Sequence, residues 1–207
     1  MHIIKIISLV FSLALITACS QSTTEKVIEY ADELQDAINK FEESRNNSAE
    51  NINAITQETI SELDQKSPDL RGAARKWEGE WLEVSEQFDR LEENFSDVAE
   101  SSNDYFTQLD ELATSIQNQT LQQSEKQKNT ALKVTWTVAF KQATQDIDKL
   151  RKLINEGNDF HMVLLGASLR EKLSQNITDL KNISIRAQSL LSGLKNLTDE
   201  GRKLSAS

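Results

Sequence analysis

The chain has 207 residues, with 33 acidic against 23 basic side chains and a formal net charge of −10. That balance excludes broad electrostatic binding to nucleic acid, and no nucleic-acid partner is expected. One proline, six glycines and a single cysteine exclude a disulfide within the chain and a turn-rich β fold, and leave an almost wholly helical protein.

The first element is a leader. Lys5 is followed by an apolar run from Ile6 to Ile16 broken only by Ser8 and Ser12, too short for a bilayer core that needs about 20 helical residues. A basic start, a short apolar core and small residues before a cut site are the layout of an export signal. Ile16-Thr17-Ala18-Cys19 resembles the lipobox of bacterial lipoproteins, in which an aliphatic residue and two small ones precede an obligatory cysteine. The residue types suit the chemistry, because the acyl acceptor is an unhindered thiolate and the peptidase pocket admits only small neighbours.

The resemblance implies that residues 1–18 form a cleaved signal peptide and that Cys19 becomes the mature N-terminus. Cys19 then carries covalent diacylglycerol and an N-acyl chain, which together anchor the protein to a membrane. Ser20, in place of an aspartate, implies sorting to the outer membrane of a Gram-negative bacterium, facing the periplasm. Residues 19–23 are a lipidated tether, and 24–207 one helical domain that must be stabilised by packing alone. Acidity is concentrated early: residues 25–111 hold 24 acids and 8 bases, and residues 112–207 hold 9 acids and 14 bases. Exposed pairs contribute about 0–1 kcal/mol each, so this asymmetry selects helix partners more than it stabilises them.

The first helix is set by Val27, Tyr30, Leu34, Ile38 and Phe41, continuing through Arg45 and Ser48 to Ile52, Ile55 and Thr59. The polar pair beside "NNS" reads as a solvated kink or as a register device. Ser67-Pro68-Asp69 ends this helix, with Ser67 as the N-cap of the next. The second helix carries the longest seam, from Trp77, Trp81, Val84, Phe88 and Leu91 through Phe95, Val98, Ser102 and Tyr105 to Leu109, Leu112 and Ile116. Steps of four and three sustained this far indicate a supercoiled or bundled helix.

The polar stretch 117–130 interrupts the pattern, which resumes out of phase at Leu132. A turn is expected there, with Thr120 or Ser124 capping the third helix through Gln123 or Gln127. "VTWTVAF" (134–140) alternates like a strand, but its neighbours make it helical. Asn155-Glu156-Gly157-Asn158-Asp159 reads as the last turn, with Gly157 as C-cap and Asp159 as N-cap. A fourth helix then runs through Leu169, Leu173, Ile177, Leu180, Leu190 and Leu197. The expected fold is all-α, an elongated antiparallel four-helix bundle of coiled-coil-like character. An open coiled coil completed by oligomerisation is the alternative.

Candidates for chemistry are few. The mature chain has one histidine, His161, which reads as a surface or packing residue. No nucleophile–base set, phosphate loop, metal-ligand spacing or inward Glu-x-x-His is present, so neither an enzyme nor a metal or cofactor site is expected beyond the lipid on Cys19. The acidic pairs Glu29/Glu33, Asp32/Asp36 and Glu92/Glu93 lie off the seams as solvated faces. Six Asn-x-Ser/Thr triplets follow from composition.

Two features suggest binding. "HMVLLGASL" (161–169), with Met162 and Leu165, is either a buried bundle end or a partner surface. Trp77 and Trp81, one turn apart, are core or line a cleft at the same end. The expected function is a non-catalytic interaction or envelope-scaffold protein, with a protein partner or a second copy engaged through the seams. The alternative is a ligand-binding or chaperone-like bundle using Trp77, Trp81, Met162 and Leu165. The order of "TACSQS", acidic helices and "ALKVTWTVAFKQATQDIDKLRKLINEGNDFHMVLLGASLREKL" is similar to uncharacterised helical lipoproteins of proteobacteria, for which no site residues transfer.

Overall fold

The computed structural model describes residues 14–170 and 174–205, with side chains described over 25–167 and 175–204. Residues 1–13 of the expected leader, and the side chains of Cys19 and Ser20, lie outside that description. Four helices account for most of the rest: α1 Ala14–Leu63, α2 Leu70–Ser115, α3 Gln119–Arg170 and α4 Ser174–Ser205. α1 packs on α2, α2 on α3, α3 on α4, and α4 back on α1. This is an antiparallel four-helix bundle, all-α among the described residues.

The seams form the core as their spacing requires. Leu34, Ile38, Phe41 and Ile52 of α1 and Trp77, Trp81, Val84, Phe88, Leu91 and Val98 of α2 are buried. Phe41, Phe95 and Phe140 link three helices, with ring centroids 5.7 Å and 4.7 Å apart. Arg45 and Ser48 are buried within a continuous α1, so this stretch is not a solvated kink. Arg45 Nη2 donates to Asn46 Oδ1 at 2.9 Å and reaches Glu42 Oε1 at 3.4 Å. Ser102 and Thr56 satisfy their buried hydroxyls on backbone carbonyls one turn back, at Ala99 and Ile52.

Three local expectations are corrected. The N-cap of α2 is Asp69, not Ser67: its Oδ1 accepts from the Gly72 N–H at 3.0 Å, the reach of an N-cap to the third helical residue. The expected break after Ile116 exists, but its cap is Asn118, whose Oδ1 accepts from the N–H groups of Thr120 and Leu121. Gln122 Nε2 also bonds the carbonyls of Thr114 and Ile116, tying the end of α2 to the start of α3.

The third correction changes the architecture. No turn occurs at Gly157, and α3 runs through it to Arg170. Leu150, Leu153, Ile154, Phe160, Leu164 and Ala167 are buried on both sides of Gly157 at helical spacing, so its polar neighbours occupy the opposite face. α3 is therefore 52 residues long and α4 only 32. The three longer helices outrun α4 at one end of the bundle.

Candidate interaction surface

Trp77 and Trp81 do not face a cleft. They are 0% and 1% exposed and stack with ring centroids 4.5 Å apart. Trp77 Nε1 donates to the Gly157 carbonyl at 2.7 Å, and Trp81 Nε1 to the Ile154 carbonyl at 2.9 Å. A buried indole N–H needs an acceptor, and the second lone pairs of helical carbonyls supply it. Met162 is exposed on α3, whereas Leu165 is half-buried against the core. The four residues thus form no common surface, and of the two readings of Trp77 and Trp81, core or cleft, the burial matches the core. The 161–169 stretch is divided: Leu164 and Ala167 point inward, and Met162 and Val163 point outward.

The recess in this bundle lies at the other end, where α4 stops. The Tyr105 hydroxyl donates to the Leu204 carbonyl at 3.0 Å, satisfying one of the carbonyls that a helix C-terminus leaves without an intrahelical partner. Gly201, one turn earlier, faces Ile38 of α1 and Trp136 of α3. Among the described residues α2 runs on from Tyr105 to Ser115 without α4 beside it, about 15 Å at about 1.5 Å per residue. The same seams become half-exposed there: Tyr30 and Val27 on α1, and Leu109, Leu112 and Ile116 on α2.

Two clefts mark the step. One of about 280 Å³ is lined by Leu132, Trp136 and Leu204, with Glu200 and Lys203 at its rim. Another of about 300 Å³ lies over Leu109, Leu112 and Ile116, beside Glu125 and Asn129. Asn129 is itself tied down, donating to the Leu109 carbonyl at 2.9 Å.

The edges of the recess follow from helical geometry. α4 covers Ile38 and Glu42 of α1, the latter through Arg202. Continuing that stripe toward the N-terminus in steps of three and four gives Gln35, Ala31 and Ile28. On α3 the stripe beneath α4 passes through Thr135, Ala131 and Lys128 to Leu121. Ile28 and Leu121 are 56% and 57% exposed, so each of these mixed stripes carries one exposed large apolar side chain past the end of its cover. The sequence signal for this recess was helix length, and it was hidden by the misplaced turn at Gly157.

Ionisable groups cluster elsewhere. Lys76 is held by Glu58 and by Glu62 at 2.6 Å, with Glu80 at 3.9 Å. Hydrogen bonds to Glu58 and Glu62 raise its pKa well above that of a free lysine, while burial raises that of Glu80. His161 Nδ1 donates to the Asn158 carbonyl at 2.7 Å, and its Nε2 lies 4.0 Å from Glu78. Among the described residues no group of three or more His, Cys, Asp or Glu side chains is arranged to hold a metal. No described helix is long and apolar enough to cross a membrane. No family model matches the sequence, and no curated protein or solved structure matches it either.

Proposed function

We propose that the protein is a lipid-anchored, periplasm-facing helical bundle that acts by binding other envelope proteins and not by catalysis. The observation that carries this reading is the lipobox-like Ile16-Thr17-Ala18-Cys19 immediately before a long acidic helical domain. Acylation at Cys19 gives the domain a membrane address, with diacylglycerol and an N-acyl chain supplying the apolar anchor. The bundle supports the reading by offering a rigid spacer. From Cys19 to Leu63, α1 alone extends roughly 65 Å at about 1.5 Å per residue. An anchor at Cys19 sets the end with the recess toward the membrane and carries the Pro68 loop away from it.

Metabolic labelling with palmitate tests the address. The wild-type chain incorporates label and partitions with membranes, whereas Cys19→Ala loses both properties. Labelling of Cys19→Ala, or an unlabelled wild type, overturns the proposal.

A further inference from the structure

We infer that α4 is a releasable helix: it opens from the bundle as one unit while α1 and α3 stay packed on α2, and buried Asp146 of α3 is a group that loosens it. The inference concerns the helical domain alone and holds with or without a lipid anchor.

The placement of the rings is the first argument. Residues 174–205 contain no Phe, Tyr or Trp. The ring contacts between helices join the other three: Phe41 of α1 with Phe95 of α2, Phe95 with Phe140 of α3, and Trp77 of α2 with Phe160 of α3. α4 contributes aliphatic side chains such as Leu180, Leu191 and Leu194, and it meets Asp146 with Gly193 and Ile38 with Gly201. Aromatic side chains dominate the energetics of a core, so α1 and α3 keep their strongest apolar contacts, those with α2, when α4 leaves.

The polar contacts divide the same way. α2 is fixed to α3 by two buried bonds, from the Trp77 and Trp81 indoles to backbone carbonyls. The pairs that α4 makes with its neighbours through Arg186 and Glu156, Arg202 and Glu42, and Gln188 and Asn53 are exposed. Exposed pairs contribute little. The Tyr105 bond to the Leu204 carbonyl is buried, but it holds only the last turn of α4.

Asp146 is the third argument. It is only 6% exposed, and a Cβ at Gly193 of α4 would lie 2.8 Å from its Oδ2. Its bonds come from Gln142 Nε2 and Lys149 Nζ, each at 3.1 Å and each on α3 itself. Docking of α4 therefore removes water from a carboxylate and brings no donor to it, a cost relieved when the helix leaves. The buried Thr198 hydroxyl of α4 bonds the Lys195 carbonyl of its own helix, so opening does not break that bond either. A helix with few buried ties to its neighbours belongs to the low-stability end of a structure.

Native-state hydrogen exchange of the full chain in mild detergent, read by mass spectrometry, tests this. Amides of residues 180–198 are expected to share one opening, about tenfold more frequent than the opening that exposes residues 77–91 of α2. The α4 opening should also depend less on urea, because it exposes less surface. Exchange of α4 only together with α2 overturns the inference. Phe95→Leu weakens a contact that survives the release of α4, so it should speed exchange in α2 and leave α4 unchanged. Equal acceleration of both helices also overturns it. Asp146→Asn keeps the shape and removes the charge, and should make the α4 opening about threefold rarer. An opening as frequent as in the wild type, or more so, overturns the role given to that carboxylate.

Discussion

Gly157 lies directly beneath the indole of Trp81, so close that a Cβ at 157 would fall inside the ring's van der Waals envelope. The glycine is therefore a contact residue in mid-helix, and its lack of a side chain lets α2 and α3 approach. Trp81 is fully buried and its N–H is fixed on the Ile154 carbonyl, so the ring cannot swing away cheaply. Gly157→Ala gains helix propensity of about 1 kcal/mol. It also overpacks a rigid neighbour, which costs typically 1–3 kcal/mol and more where the clash is with a rigid ring. A net loss of about 2 kcal/mol in urea unfolding is expected. A variant as stable as the wild type would show that the tryptophan pair is loosely held.

Gly79 provides the opposite case. It lies in α2 between the two tryptophans in sequence, yet a Cβ there meets nothing within 4 Å. Gly79→Ala removes backbone freedom from the unfolded chain without a steric cost, and should stabilise by about 0.5–1 kcal/mol. Thermal unfolding followed by circular dichroism measures it. With Gly157→Ala the pair shows that a helical glycine's cost depends on what faces it.

The bundle and most of its core were legible because heptad spacing reports which face is covered. The Phe88, Leu91 and Val98 positions were all identified that way, and all are buried. The turn at 155–159 was misread because Asn, Gly and Asp have strong local turn preferences. The competing signal was the stripe Leu150, Ile154, Phe160 and Leu164, which passes through Gly157 at helical spacing. Tertiary packing of two indoles outweighed local preference. That single misplacement made α4 appear as long as its partners and concealed the recess. Trp77 and Trp81 were ambiguous for another reason: their acceptors are carbonyls 80 and 73 residues away, and no sequence pattern announces a backbone acceptor. The expected caps Ser67 and Thr120 each missed by two residues, and Ser124 by six, because Ser, Thr, Asp and Asn are all competent N-caps.

The Tyr105–Leu204 hydrogen bond pins the last turn of α4 at the edge of the recess. Tyr105→Phe should cost about 1 kcal/mol and speed hydrogen exchange of amides in that turn. Burial raises the Tyr105 phenol above its ordinary value of 10.0. The unfolded chain then loses this proton first as pH rises, so the folded state loses stability above pH 10 through this group. The phenylalanine variant lacks that component. The gap between wild type and variant should therefore narrow above pH 10 in denaturant titrations, and a widening gap would contradict the assignment.

Lys76 holds together three carboxylates from two helices, Glu58 and Glu62 on α1 and Glu80 on its own. Its raised pKa, caused first by the Glu58 bond and then by Glu62, means the ammonium contributes throughout the neutral range and is lost only in strong alkali. Lys76→Met keeps the aliphatic stem and removes the charge, leaving the three carboxylates to repel one another. Glu80, whose pKa burial already raises and Lys76 lowers, then holds its proton still more readily in the folded than in the unfolded chain. A carboxyl so raised destabilises the fold at neutral pH and ceases to do so as pH falls through the carboxylate range. Lys76→Met should therefore unfold at lower urea than the wild type at pH 7, with a smaller deficit than Gly157→Ala. That deficit should shrink as the pH approaches 4. Added salt should reduce it as well, because these groups are partly exposed and their repulsion is screened. A deficit independent of both pH and salt would mean that the lysine acts through its methylene stem and not through its charge.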